Sequence, residues 1–378
     1  MAITFLLRAI FTIVSVALLV AAVVLLGNWY GGDRVQTADG VIHIHRDNWN
    51  LWTGIALLAW SFLGRIPILF MLARKDTDPM RPRRDNGQTV ESPTGATLYT
   101  EQHGRADAKT VILTHGWSMD STIWHYAKRD LGEHYRVLTW DLPGLGLSKQ
   151  AKRGVSLPRY AEDLKGLIAQ ASNQPVMLVG HSIGGMIIET LTRDDPAFFA
   201  RHVDRVVLLN TTYTNPLKTM ILSGLLQTLR KPLIVPMMYL QIWLMPLVWL
   251  MQWQSYMSGS QHIAIRFGFG RFVTRSQLDH TALLMTRNSP AVVAHGDLAM
   301  LRWDGTQGLP HLTVPTLVVG GDADIVTKLS ASEHIAAAVP SGRLHTVGGV
   351  NHMGPVEQAP VYHDLITAFD DGRAHVSA

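Results

Sequence analysis

The sequence contains no cysteine among its 378 residues, and it contains few charged residues. The absence of cysteine excludes disulfide bonds and thiolate metal sites, although it does not decide the cellular compartment. Asp, Glu, Lys and Arg make up only 16% of the chain, below the value of about 25% that is typical of soluble proteins. The net charge of +4 is a mild excess. We therefore expect membrane lipid as a partner and no nucleic acid.

The sequence indicates neither a metal ion nor a nucleotide cofactor. His43 and His45 alternate as in a strand, with Asp47 nearby, but no further cluster completes a metal site of known spacing. The glycine-rich segment 141–148 lacks the Lys-Ser or Lys-Thr pair of a phosphate-binding loop and does not fit the dinucleotide fingerprint. We therefore expect chemistry that amino-acid side chains perform alone.

The most informative motif is Gly180-His181-Ser182-Ile183-Gly184. It follows the apolar run 175–179 and precedes the helix-like run 183–195, so the pattern predicts a strand, a sharp turn and a helix. Glycine is needed at both ends of the motif because a side chain there would collide with the neighbouring strand or helix. A serine in such a turn is exposed at the carboxyl end of a sheet. We therefore predict Ser182 as a nucleophile.

A serine nucleophile needs a general base, and the base needs an acidic group that orients it. The apolar strand pattern 314–321 ends at Asp322 and Asp324, and the pattern 344–349 leads to His352. Residues that follow strands lie at the carboxyl edge of an α/β sheet, where ligands bind. The sequence therefore predicts His352 as the base and leaves both aspartates as candidate acids.

Taken together, the motifs resemble those of the α/β-hydrolase superfamily over residues from about 95 to 370. Five segments carry the resemblance in the family's order: Thr114-His115-Gly116-Trp117, Asp141 to Ser148, the serine turn, Gly321-Asp322-Ala323-Asp324 and Asn351-His352-Met353. The resemblance implies an α/β fold with a mostly parallel central sheet flanked by helices. It also implies that Asp324 is the acid, with Asp322 as the alternative, and that His181 is a packing residue.

Acyl transfer also needs donors for the oxyanion that forms in the tetrahedral intermediate. The amide of Ile183 directly follows the nucleophile. The amide of Trp117 follows the predicted strand 110–114 and the turn His115-Gly116, where glycine lets the chain turn sharply. We predict that these two amides form the oxyanion hole and that the His115 side chain fixes the loop.

Upstream of this domain lies the apolar run 3–26, in which Arg8 is the single charged residue. The run is long enough to cross the hydrocarbon core as a helix of roughly 20 residues. Asn28-Trp29-Tyr30 follows it as an aromatic interface anchor, in place of the small-residue site at which a signal peptide is cleaved. We therefore predict a membrane span.

A second apolar run, 51–72, is interrupted by Arg65 and Pro67. It is either a second span, which completes a transmembrane hairpin, or a helix that lies in the interface. A basic linker follows, with Arg74, Lys75, Arg81, Arg83 and Arg84. By the positive-inside rule a second span places the catalytic domain on the cytoplasmic side, whereas a single span leaves it on the opposite face.

A third apolar region, 232–253, has no charge at all. Its prolines interrupt helical hydrogen bonding, and a crossing here would separate Ser182 from His352 on opposite sides of the membrane. We therefore predict a helical cap over 214–304 that dips into the lipid surface or lines a lipophilic pocket. A homo-oligomer interface through the cap and plain core packing are the alternatives.

The predicted organisation has five parts. They are a membrane anchor of one or two transmembrane helices (1–75), a basic linker (76–94), the first part of the hydrolase core (95–213), the apolar cap (214–304) and the second part of the core (305–378).

The expected function is that of a membrane-anchored serine hydrolase. We expect it to cleave carboxylic esters with lipophilic acyl chains through an acyl-enzyme, without a cofactor. The same three side chains in related proteins also run carbon–carbon bond hydrolysis, cofactor-free perhydrolysis and amide cleavage, since a fold does not determine a reaction. A non-catalytic membrane scaffold or lipid-binding protein is the alternative of another class.

Overall fold

The structure is a computed structural model that describes residues 2–85 and 87–373. Its strands, numbered along the chain, are β1 (Asp33–Gln36), β2 (Ile42–His45), β3 (Gln88–Glu91), β4 (Thr97–Gly104), β5 (Thr110–Thr114), β6 (Arg136–Trp140), β7 (Val176–His181), β8 (Val203–Leu209), β9 (Thr316–Gly321) and β10 (Gly342–Val347). The first two strands pair with each other in an exposed antiparallel hairpin. The other strands form the central sheet.

The central sheet has eight strands in the order β10-β9-β8-β7-β5-β6-β4-β3. The pairs from β10 across to β6 are parallel, and β4 pairs antiparallel with both of its neighbours. Strands β5, β7 and β9 are buried along their whole length, as expected for parallel strands that helices cover on both faces. The predicted α/β-hydrolase fold is confirmed.

The α-helices, also numbered along the chain, are α1 (Ala2–Gly31), α2 (Asn48–Leu63), α3 (Arg65–Leu72), α4 (His125–Asp130), α5 (Leu157–Ala171), α6 (Ile183–Asp194), α7 (Pro196–His202), α8 (Pro216–Thr219), α9 (Ser223–Leu229), α10 (Val235–Trp243), α11 (Met245–Met257), α12 (Ser260–Arg266), α13 (Arg275–Arg287), α14 (Pro290–Met300), α15 (Leu329–Ala338), α16 (Gly354–Glu357) and α17 (Ala359–Asp370). Short 3₁₀ helices lie at Ser121–Trp124, Leu131–Glu133 and Thr306–His311, and a π-helical turn lies at Arg230–Ile234.

The side chains of alternate strand residues point to opposite faces of the sheet and pack in two apolar cores, one on each face. In β5, Ile112 packs with α5, α6 and α15 in one core. Val111 and Leu113 pack with α4, α13 and α17 in the other. This layering holds the carboxyl ends of the parallel strands along one edge, where the loops that follow them meet.

The segment between β8 and β9 is largely helical, from α8 to α14. Its uncharged run is divided between α10 and α11, and the helical stretch that ends at Trp243 meets α11 at a bend of 99°. Pro232 lies in the π-helical turn before α10, and Pro246 stands in the first turn of α11, where a missing N–H costs no helical hydrogen bond. Because of the bend between α10 and α11, the run forms no straight membrane-crossing helix.

Near the N-terminus, residues 4–31 form a helix that is long and apolar enough to cross a membrane. The predicted second run is broken at Gly64 into α2 and α3, which meet at an angle of 64°. Helix α2 packs against α1, where Gly54 leaves no room for a side chain beside Leu26 and the carbonyl of Ala22. The described residues therefore contain one uninterrupted candidate span, and bent helix pairs that would cross only as broken spans.

Two glycines allow the turn between β7 and α6 to approach its neighbours. A Cβ atom at Gly184 would overlap the carbonyl of Thr114 in β5, and one at Gly180 would overlap the backbone of residues 184 and 185. The first neighbour is the backbone of strand β5 and the second is the backbone of helix α6, and in a close-packed interior neither can yield easily.

We expect Gly184→Ala to lower the free energy of unfolding by about 1–3 kcal/mol, since overpacking at a rigid site costs that much. Gly224→Ala in α9 is the matched control, because nothing lies within 4 Å of its added Cβ. Thermal unfolding of both variants in detergent checks the prediction. Equal melting temperatures for the two variants would show that the turn is not tightly packed.

Candidate active site

Ser182 stands between β7 and α6 with backbone angles φ +53° and ψ −117°. This conformation is rare for a residue with a side chain, and it persists only where the surroundings enforce it. The Ser182 amide donates to the Leu209 carbonyl at 3.0 Å, and the Thr211 hydroxyl donates to the Ser182 carbonyl at 2.6 Å. The strain sits at the residue that the sequence predicts as the nucleophile.

The three side chains predicted from widely separated segments lie in one hydrogen-bonded row. The Nε2 atom of His352 is 2.9 Å from the Ser182 hydroxyl, and its Nδ1 atom is 3.1 Å from Oδ2 of Asp324. With the imidazole proton on Nδ1, the Asp324 carboxylate accepts it and Nε2 is free to take the hydroxyl proton of the serine. The geometry is that required for an activated serine.

Asp324 is buried and fully hydrogen-bonded. Besides His352, four donors reach its carboxylate: the amides of Val326 and Thr327, each at 2.8 Å from Oδ1, and the Thr327 hydroxyl and the Asn210 amide group, at 2.8 and 3.0 Å from Oδ2. Burial alone raises the pKa of this carboxyl, but the attraction of His352 and the donated hydrogen bonds outweigh it, so the pKa lies below its usual value. Asp324 is therefore held as an anion that faces the imidazole.

Asp322, the alternative acid, lies in the same turn but points elsewhere. It is exposed, and its Oδ1 atom accepts a hydrogen bond of 2.7 Å from the Gly349 amide. Of the two aspartates, Asp324 is the one that the structure places against His352.

Two buried neighbours hold the His352 loop in position. Oδ1 of Asn351 accepts a hydrogen bond of 2.8 Å from the His352 amide, and Nε2 of His181 donates to the His352 carbonyl at 2.9 Å. Burial lowers the pKa of His181 to about 3, and the nearby His352 adds to the effect. His181 is therefore neutral near pH 7 and serves as a positioning residue.

The two predicted oxyanion donors follow strands β5 and β7, Trp117 in a loop and Ile183 in a helix. Ile183 is the first residue of α6, so its amide belongs to the first turn, which has no acceptor within the helix. The loop that carries Trp117 is fixed at both sides. The Trp117 indole donates to the Val293 carbonyl at 3.3 Å, and the His115 ring donates from Nδ1 to the Gly116 carbonyl at 2.8 Å.

A cavity of about 300 Å³ opens over two of the three side chains. Ser182 and His352 lie in its wall. Most other wall residues are apolar, and they come from the loop after β5, from the cap and from α1: Trp117, Met119, Met237, Leu240, Leu244, Leu247, Val248, Met251, Phe5, Ala9 and Ile13. The site therefore offers an apolar compartment beside the serine.

Sequence reasoning missed two contributors to the site. Asn210 is buried with φ +45°, and its side-chain amide donates to Asp324. The sequence feature that indicates it is a polar residue at the end of the apolar strand β8. Helix α1 contributes Arg8 and Thr12 to the cavity wall. The sequence feature that indicates this role of α1 is the spacing of Arg8, Thr12 and Ser15, which places three polar side chains on one face of an apolar helix.

The described residues contain no group of three or more His, Cys, Asp or Glu side chains that could hold a metal ion. His43 and His45, which the sequence places four and two residues before Asp47, lie in the exposed hairpin strand β2.

Comparison with known proteins identifies the fold family and several relatives. The model of the alpha/beta hydrolase fold matches residues 109–359. A pimeloyl-[acyl-carrier protein] methyl ester esterase of Nitrosospira multiformis is 32% identical over 123 residues, which are 31% of this chain and 43% of that esterase. This chain therefore spans less than half the length of that relative.

Longer alignments have lower identity. A putative carbamate hydrolase of Yersinia enterocolitica is 24% identical over 72% of this chain and 91% of its own length. The crystal structure of a bromoperoxidase from Bacillus anthracis superimposes with a TM-score of 0.62 at 20% identity, covering 75% of this chain and all of the other. At that identity the structural likeness shows the fold alone.

We expect Asp324→Asn to slow covalent labelling of Ser182 by a small fluorophosphonate by roughly 10⁴-fold, the order seen when the acid of a serine triad loses its charge. Asp322→Asn is the matched control and should change the rate less than about twofold, because that side chain points away from His352. The measurement is the labelling rate of both variants at pH 7.5. A reversed order of the two effects would make Asp322 the acid.

Proposed function

This chain belongs to the α/β-hydrolase family, and from that premise we propose that it is a membrane-anchored serine hydrolase that cleaves carboxylic esters with lipophilic acyl chains. The observation that carries the proposal is the row Ser182, His352 and Asp324 at the base of an apolar cavity. A non-catalytic scaffold would have no need of a strained serine hydrogen-bonded to a histidine.

In the proposed reaction the Ser182 hydroxyl attacks the ester carbonyl while His352 accepts its proton at Nε2. Asp324 stabilises the imidazolium that forms, and the amides of Trp117 and Ile183 stabilise the oxyanion. The tetrahedral intermediate collapses, His352 returns the proton to the leaving alcohol, and an acyl-enzyme remains. Water, deprotonated by His352, then releases the carboxylic acid and restores the serine.

The apolar cavity supports the proposed substrate class. An acyl chain displaces water from apolar walls with a gain of about 0.8 kcal/mol for each buried CH₂ group. A wall built from methionine, leucine and valine side chains of α10 and α11 suits such a chain. The name of one relative, a methyl ester esterase, agrees with ester hydrolysis.

The membrane attachment is proposed from three observations. Helix α1 has the length and composition of a span. Helix α2 packs against α1, and the residues of the basic linker, which begins with Arg74 and Lys75, follow α3. The bend between α10 and α11 exposes large apolar side chains, among them Trp243 at 78% and Leu250 at 68% exposure. We propose that α1 and α2 form a hairpin, that the catalytic domain lies on the cytoplasmic side, and that this corner of the cap enters the lipid.

We expect the purified protein to hydrolyse p-nitrophenyl and monoacylglycerol esters, with a preference for longer acyl chains. Ser182→Ala should lower kcat/KM by at least about 10³-fold, since the nucleophile is lost while substrate binding remains. The measurement is a screen of graded chain lengths with both proteins in the same detergent. No ester turnover by the wild type, or equal turnover by both proteins, would refute the proposal.

The contact of the cap with lipid has its own test. In proteoliposomes, Leu250→Glu should slow hydrolysis of a long-chain ester embedded in the vesicle and leave a short soluble ester unaffected, because a carboxylate at that corner resists burial in lipid. Leu344→Glu is the control, since Leu344 is exposed on the edge strand β10. Equal effects of Leu250→Glu on both esters would contradict lipid contact, and a loss of self-association would show an oligomer interface in its place.

A further inference from the structure

One face of α1 is buried against the protein. Phe5, Thr12, Ser15 and Ala22 are buried, at spacings that return to one side of a helix. Ile10 and Val14, on other sides of the same stretch, are 55% and 47% exposed. A helix that served only as an anchor would need no such difference between its faces.

Polar contacts attach this buried face to the cap. The Ser15 hydroxyl lies 2.6 Å from the Ser258 hydroxyl and also donates to the Gln254 side chain of α11. The Arg8 guanidinium donates to the Met285 carbonyl of α13 at 3.1 Å. Because polar groups in an apolar helix are stable only with partners, these contacts specify how α1 sits on the cap.

The same face of α1 forms part of the cavity that contains the nucleophile. Thr4, Phe5, Arg8, Ala9, Thr12 and Ile13 lie in the cavity wall with Ser182 and His352. Ile13 is also 60% exposed, so it marks the rim where the cavity meets the surroundings of the helix. Ala9 lies one helical turn from Ile13 and is less exposed, and its methyl group is the smallest side chain among these six wall residues.

We infer that α1 is a wall of the substrate site, that the acyl chain lies along it past Ala9, and that Ala9 and Ile13 determine the accepted chain length. The inference rests on the proposed ester hydrolysis and adds the membrane helix itself to the specificity determinants. Since α1 is apolar around the rim, an acyl chain reaches the serine from the lipid beside Ile13 without passing through water.

The test compares two faces of one helix. Ala9→Phe and Ile13→Phe fill the wall and the rim, whereas Ile10→Phe and Val14→Phe add the same bulk to side chains that are not part of the wall. We expect the two wall variants to lower kcat/KM for a dodecanoyl ester by about tenfold or more relative to an acetyl ester, as a pocket that is too short rejects extra methylenes. The two control variants should keep the wild-type ratio.

Labelling of Ser182 by a short-chain and a long-chain alkyl fluorophosphonate gives a second readout that needs no ester turnover. Retained short-chain labelling with reduced long-chain labelling in Ala9→Phe supports the inference and shows that the site is folded. An unchanged chain-length ratio in Ala9→Phe, or an equal shift in Ile10→Phe, overturns it. If the probes label wild-type Ser182 but the protein hydrolyses no ester, the proposed function is wrong, and the labelling ratio still decides the role of α1. If neither probe labels Ser182, both the proposed function and this inference are overturned.

Discussion

The position of the His352 imidazole between Ser182 and Asp324 is the constraint on which the rest of the structure depends. The three residues follow β7, β9 and β10, and parallel strands bring their carboxyl ends to one edge of the sheet. A shift of about 1 Å in any of these loops would break a contact of 2.9 or 3.1 Å. The close packing at Gly180 and Gly184 and the donors around Asp324 hold that geometry.

Side-chain contacts join helix α1 to the cap of the domain that contains Ser182, His352 and Asp324. Ser15 and Arg8 form polar contacts with the cap, and the cap and α1 share the walls of the cavity. Arg65 of α3 donates to the Tyr256 hydroxyl of α11 at 2.6 Å, which attaches the second apolar segment to the same helices. Residues of α1 thus complete part of the wall of the cavity that contains Ser182 and His352.

Local pattern was sufficient to predict much of the fold. The strand before Ser182 and the helix after it were visible as an apolar run and a helical period with glycine at the turn, and the structure has them at Val176–His181 and Ile183–Asp194. The choice of Asp324 over Asp322 came from family resemblance, because both follow the same strand and only the three-dimensional turn separates them. The interruption of the second apolar run at Arg65 and Pro67 was visible in the sequence, whereas the bend of 64° between α2 and α3 was not, because composition does not determine an angle.

Contacts between residues far apart in the chain could not be predicted from the sequence. Asn210 reaches Asp324 across 114 positions and Ser15 reaches Ser258 across 243, and no local pattern specifies such pairs.

The most direct test of the central claim is to quench a reaction with a p-nitrophenyl ester in acid and to locate the acyl group by peptide mass measurement. We predict an acyl group on Ser182 in the wild type and none in His352→Ala. Ester turnover with the acyl group on another residue would contradict Ser182 as the nucleophile.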